Sequence, residues 1–78
     1  MKLLVVVDNG DTYFLEYSLT PLTTDEVGFN VTGLWEFCPG CLAEMGPEVY
    51  LATHLVDPDR AIDIIARNIL EIHDMVMK

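Results

Sequence analysis

Apolar side chains recur with a period of two across residues 11–19, where Tyr13, Leu15, Tyr17 and Leu19 share one side and Glu16 and Ser18 point to the other. Alternate residues of a strand project to opposite faces, so this stretch predicts a strand with one face on a core. Residues 2–8 lack the alternation. Leu and Val fill positions 3 to 7, the pattern of a central strand covered on both sides. Asn9-Gly10 separates the two stretches, and both residues tolerate the positive φ of a two-residue hairpin turn. Residues 20–26, with Pro21, read as a loop. Alternation resumes over 27–37, with Val27, Phe29, Val31, Trp35 and Phe37 on one face and Asn30, Thr32 and Glu36 on the other. Gly33 interrupts it and marks a bulge.

The second half of the chain changes character. Residues 38–46 contain Pro39, Gly40, Gly46 and both cysteines, which predicts a tight loop or a single helical turn. Val49, Tyr50, Thr53 and Val56 favour a strand over 48–56. Pro47 equally suits the first position of a short helix, but these residues predict the strand. Asp57 fits a helix N-cap and Pro58 the first helical position, opening a helix over 58–77. At about 100° per residue, Ile62, Ile65, Ile69, Ile72 and Val76 fall on one apolar stripe. Arg60, Asp63, Arg67, Glu71, Asp74 and Lys78 lie opposite, with Asp63/Arg67, Arg67/Glu71 and Asp74/Lys78 spaced for pairing along the helix. Ile64 and Met75 project near the charged side, as a further contact for a partner or for a second copy in a homodimer.

These elements predict an α+β fold: an antiparallel sheet of three or four strands, joined as a meander, with a C-terminal amphipathic helix packed on one face. The 78 residues are read as one domain, 1–78. The apolar run of residues 3–7, stopped by Asp8, is shorter than the ~7–15 residues of a signal peptide. Nothing approaches the ~20 apolar residues of a membrane span. A cytoplasmic location is therefore expected, with Cys38 and Cys41 reduced.

Charge narrows the class of function. Thirteen acidic residues face four basic ones, for a formal net charge of −9. Residues 1–59 hold Asp8, Asp11, Glu16, Asp25, Glu26, Glu36, Glu44, Glu48, Asp57 and Asp59 against Lys2 alone. Residues 60–78 balance Arg60, Arg67 and Lys78 with Asp63, Glu71 and Asp74. The surplus thus belongs to the strands and loops. Such a field repels nucleic acid and attracts cationic surfaces. Asp8, Asp11, Glu16, Asp25, Glu26, Glu36, Glu44 and Glu48 are the residues expected to meet a basic partner.

Cys38-Pro39-Gly40-Cys41 is the one motif suited to chemistry. Two cysteines are half of a tetrahedral zinc site. His54 has the spacing of a third zinc-finger ligand, but Pro58, Asp59 and Arg60 occupy the positions due to a fourth. With 48–56 extended beside 27–37, His54 is expected roughly 20 Å from the cysteines, at ~3.4 Å per residue. The helix then runs back and returns His73 to the cysteine end, which makes His73 the better third ligand. Thiol redox chemistry is the other functional reading: thioredoxin-like proteins place Cys-x-x-Cys between a strand and a long helix whose N-terminus lowers a thiol pKa. Here a strand ends suitably at Phe37, but Gly46-Pro47 stops the following helix after about one turn. A packed structural loop is the third reading. Residues 37–44, with Asp57-Pro58-Asp59-Arg60-Ala61-Ile62 later opening a helix, resemble HicB-type antitoxins, in which a strand ends in Pro-Gly-Cys before a Glu-Ala-rich helix. The likeness breaks at residues 47–56 and assigns no site residue.

No Gly-rich phosphate loop, P-loop lysine, Ser/His/Asp set or selected carboxylate pair is present, so no enzyme is expected. The expectation is a small acidic interaction protein that inhibits its target by occupying a basic, nucleic-acid-binding surface. Phage or mobile-element anti-CRISPR and anti-restriction proteins and antitoxins work in this way. The alternative is a small Cys-x-x-Cys protein with a thiol-redox or zinc-binding role.

Overall fold

The computed structural model describes residues 2–77, in which three strands are followed by four helices. Strands β1 (Lys2–Asp8), β2 (Asp11–Pro21) and β3 (Val27–Glu36) form an antiparallel meander in the order β1-β2-β3. Helices α1 (Pro39–Met45), α2 (Pro47–Thr53), α3 (Pro58–Arg67) and α4 (Ile69–Met77) complete an α+β fold. The hairpin stands where Asn9-Gly10 predicts it, with φ of 50° and 88° at the two residues and Asp8 opposite Asp11. Positive φ at both positions matches the right-handed twist of the strands they join.

β2, and not β1, is the central strand. In a three-strand meander the middle strand in sequence is the middle strand in space, so a uniform Leu/Val run cannot place β1 at the centre. Tyr13, Leu15 and Tyr17 of β2 are buried together with Val6 and Leu34, as the alternation predicts. The bulge forms at Gly33: Glu16 pairs with Gly33 and Tyr17 with Val31, leaving Thr32 as the extra residue. One extra residue inverts the alternation beyond it. Phe29 and Val31 therefore pack with Leu34 on the main core, whereas Trp35 turns to the opposite face. The expected grouping of Val31 with Trp35 and Phe37 does not hold.

Residues 48–56 are not a strand. Pro47 opens α2, and among the described residues the segment pairs only through a single bridge from Leu55 to Trp35. Seven helical residues at ~1.5 Å advance about 10 Å, where the same length of strand would cover roughly 24 Å. The chain consequently stays where β3 ended: the Glu36 N–H donates to the His54 carbonyl and the Val56 N–H to the Leu34 carbonyl, both at 2.9 Å. Tyr50, buried in α2, donates its hydroxyl to the Glu36 carbonyl and accepts from the Cys38 N–H at 3.1 Å, which ties both ends of this connection together.

The single long helix is broken at Asn68. Its side-chain amide donates to the Ile64 carbonyl at 2.8 Å and to Asp8 at 3.0 Å, and its backbone N–H bonds to Ile65, three residues back. α3 and α4 both turn buried residues inward: Ala61 and Ile64 in α3, Ile72 and Val76 in α4. Ile64, expected at the surface, is 2% exposed, while Ile62, expected in the core stripe, is 66% exposed. The expected stripe is centred too far towards Ile62 and Ile69: at about 100° per residue the buried Ala61, Ile64, Ile72 and Val76 share a face displaced from it. Met75 is partly exposed, as expected.

Both sheet faces are thereby covered to different degrees. α3 and α4 bury the face of Val6, Leu15 and Leu34. α2 covers part of the other face, where the Trp35 indole N–H donates to the Leu51 carbonyl at 3.0 Å and Phe14 packs near Tyr50 and Phe37. Among the described residues, no helix is long and apolar enough to cross a membrane.

Candidate acidic interface and the cysteine turn

The helix arginines reach across to strand acids. Arg67 binds Asp8 through two nitrogens, at 2.6 and 3.3 Å, and also pairs with Asp63 one turn earlier. Its expected Glu71 partner is not among its contacts, and the Asp74/Lys78 pair lies outside the described residues. Asp8 is buried, and the Arg67 guanidinium and then the Asn68 amide hold its carboxyl below the usual aspartate range. Arg60 donates to the Tyr13 hydroxyl at 3.0 Å and pairs with Glu36 at 3.2 Å. Those contacts, Tyr13 first, raise the Arg60 pKa. The charge balance within residues 60–78 rests only in part on pairing there: Arg67 joins Asp63 but also reaches Asp8, and Arg60 pairs with Glu36.

That pairing divides the eight acids expected at a basic partner. Asp8 serves the fold, joining the hairpin to the α3–α4 break. Glu36 is exposed but shared with Arg60. Asp11, at the hairpin tip, is exposed, as are Glu44 on α1 and Glu48 in the first turn of α2. Glu16 is half-buried on the face that α2 covers and accepts a hydrogen bond from the Thr32 hydroxyl. Asp25 and Glu26 are exposed in the β2–β3 loop, where Thr23 accepts from both of their backbone N–H groups. β2 separates them from Asp11 by ten residue steps, or about 34 Å. The acids therefore form two groups, one around the hairpin tip and α1–α2, the other at the far loop.

The cysteines are joined. Cys38 and Cys41 form a disulfide at the start of α1, with Cys38 as N-cap and the Cys41 N–H directed at the Cys38 sulfur at 3.3 Å. The expectation of reduced thiols is not met. The two histidines also part from their expected places. His54 stacks on Tyr50 with ring centroids 4.3 Å apart, and Tyr50 itself contacts the Cys38 backbone. The short α2 thus keeps His54 at the cysteine end of the sheet. His73 lies edge-on to Phe29, 5.9 Å between centroids, near the beginning of β3 and far from its cysteine end. α3 starts near Glu36 and crosses towards Asp8, so α4 runs away from the cysteines instead of back to them. His73 is not a third ligand to Cys38 and Cys41 in this arrangement. Among the described residues, no three His, Cys, Asp or Glu side chains converge on a common metal position.

Sequence reasoning missed Tyr50, Arg60, Arg67 and Asn68 as organising residues. Asn68 carried a signal, since a side chain that competes for backbone hydrogen bonds interrupts an otherwise strong helix. Tyr50 carried none: its role depends on where β3 ends. No protein-family model, curated protein or solved structure matches this chain.

Proposed function

We propose that this protein is a small, cytoplasmic, non-enzymatic inhibitor that occupies a basic, nucleic-acid-binding surface of its target. One observation carries the reading: Asp11, Asp25, Glu26, Glu44 and Glu48 are exposed and make no ion pair among the described residues, in a chain whose net charge is −9. Carboxylates left without partners create a field that draws a cationic surface and excludes phosphates from it. Asp11, Glu44 and Glu48 form the principal contact, and Asp25 and Glu26 a separate one. Anti-CRISPR, anti-restriction and antitoxin proteins are the classes with this mode of action.

The test is capture of proteins from a bacterial lysate by the immobilised chain, followed by release with salt and with duplex DNA. Nucleic-acid-binding proteins displaced by both are expected, together with loss of capture in the Asp11→Lys/Glu44→Lys/Glu48→Lys variant. Capture that survives charge reversal, or is indifferent to salt, overturns the reading.

A second reading rests on the disulfide at the α1 N-cap: reversible thiol–disulfide exchange at Cys38–Cys41. Two electrons and two protons from a dithiol would convert the bond to two thiols. The Cys41 N–H already faces the Cys38 sulfur, where it supports a thiolate. Equilibration with glutathione buffers, read by alkylation and intact mass, tests it. A bond that stays fully oxidised across cytosolic potentials is structural only.

A further inference from the structure

We propose that β1 is the subunit interface of a homodimer, in which two copies of the strand pair antiparallel about a twofold axis at Val5. Among the described residues, β1 has a neighbour on one side only. Its other edge presents unpaired backbone groups, and the hairpin determines which residues carry them. In a two-residue hairpin with positive φ at both turn residues, the flanking pair, here Asp8 and Asp11, exchanges both hydrogen bonds, and every second pair does the same. Val6, Leu4 and Lys2 then bond to β2, while Leu3, Val5 and Val7 direct their N–H and C=O groups outwards. The Thr12 carbonyl, opposite Val7, accepts from the Phe37 N–H on the β3 side, as this phase requires.

These same three residues carry exposed side chains: Leu3, Val5 and Val7 are 54%, 47% and 55% exposed. Natural edge strands are usually shielded from other strands by a charge, a proline or a bulge. Residues 3–7 contain no charge or proline, and the β1–β2 register is unbroken.

The occupant follows from the strand's symmetry. With Val5 opposite Val5 of a second copy, Leu3 meets Val7 and Leu4 meets Val6, so every cross-strand pair between positions 3 and 7 is apolar. All three outward-facing residues then pair with outward-facing residues, closing both hydrogen bonds at each. Lys2 and Asp8 come opposite one another at the two ends of the register. Antiparallel pairing also sends the two acidic hairpin tips to opposite ends of the joint sheet, which limits the repulsion between like-charged chains. A basic partner chosen by charge finds no carboxylate along residues 3–7.

Size agrees with an interface left open. The chain exposes 5274 Å², against roughly 4,800 Å² from the scaling for a compact monomer of its 8.8 kDa mass. Its radius of gyration is 13.2 Å, where about 11.5 Å is expected for the chain length.

Sedimentation equilibrium of the full chain should return twice 8.8 kDa, with association strengthening as salt screens the acidic chains. Val5→Lys, which sets two ammonium groups face to face on the axis, should restore the 8.8 kDa mass. Ile62→Lys, on the exposed side of α3, should remain dimeric. A monomeric wild-type chain at high concentration overturns the proposal, as does a dimer lost with Ile62→Lys and retained with Val5→Lys. Amide exchange of the wild-type chain decides the matter if Val5→Lys does not fold. The Leu3, Val5 and Val7 amides should slow as concentration rises, and exchange independent of concentration excludes β1 pairing. Salt separates this interface from the acidic one: β1 pairing tightens with salt, whereas docking on a basic surface weakens.

Discussion

Val5 and Val6 are neighbours in one strand and chemically identical, yet Val6 is 2% exposed and Val5 47%. The difference lies in what covers each face of the sheet. α3 and α4 seal the side of Val6 with Ile64, Ile72 and Val76, and Leu15 and Leu34 beneath them are fully buried. On the other side α2 reaches Phe14 and Trp35 but leaves Leu3, Val5 and Val7 uncovered. Apolar character along the strand is therefore the same on both faces, and coverage is not. The sealed face holds the main core, and the β1 part of the other is free to supply a contact.

Matched truncations offer the largest effect by which to break this comparison. Leu15→Ala should cost about 3 kcal/mol in urea unfolding, through lost burial and a residual cavity. Val5→Ala, measured dilute enough to keep the chain monomeric, should stay within about 0.5 kcal/mol. Equal losses would erase the distinction between the faces.

Gly33→Ala probes the less covered face where it is tightly packed. A Cβ at Gly33 would run into the Trp35 ring, so the indole must move and its bond to Leu51 must weaken. A loss of about 1–3 kcal/mol is expected, with a changed tryptophan emission. An unchanged stability and spectrum would show that Trp35 does not hold α2 to the sheet.

Tyr50→Phe should cost about 1–2 kcal/mol, because it leaves the Glu36 carbonyl without the hydroxyl donor and the Cys38 N–H without its acceptor. The loss should appear as faster amide exchange in α1 and α2, with α3 and α4 unaffected. Exchange that speeds up uniformly would mean that the two faces unfold as one unit.

The smallest effect is a pH dependence confined to the sealed side. Asp8 has a lowered pKa in the fold, owing first to Arg67 and then to Asn68. Its contribution to stability is therefore complete above the ordinary aspartate value of about 4 and lost as pH falls through the lower folded value. Asp8→Asn should flatten the fall in melting temperature below about pH 4 and lower it at neutral pH. Parallel acid curves for the two proteins would place the effect elsewhere.

Much of the fold was legible in local pattern. The hairpin followed from Asn9-Gly10, the buried row from the alternation of Tyr13, Leu15 and Tyr17, and the bulge from Gly33. The opening of α3 followed from Asp57-Pro58. Less of the candidate site was legible. Asp11, Glu44 and Glu48 are exposed as a solvated charge should be, but nothing local distinguishes Asp8 from them. Its burial depends on Arg67 and Asn68, about sixty residues away in the chain. The strand expected over 48–56 fails for a related reason: β propensity reflects packing against neighbours, and β3 holds this segment at one bridge only, opposite Leu55, through the His54 carbonyl and the Val56 N–H.

The sequence by itself determined the elements whose cause is local, because turn geometry, period and capping act within a few residues. It also determined the charge surplus, which is composition. Tertiary structure decided which of two equally apolar faces is sealed, which carboxylates are paired, and that Cys38 and Cys41 sit joined at a helix start away from His73. Those outcomes depend on the break at Asn68 and the short reach of α2, which together set where the last two helices land.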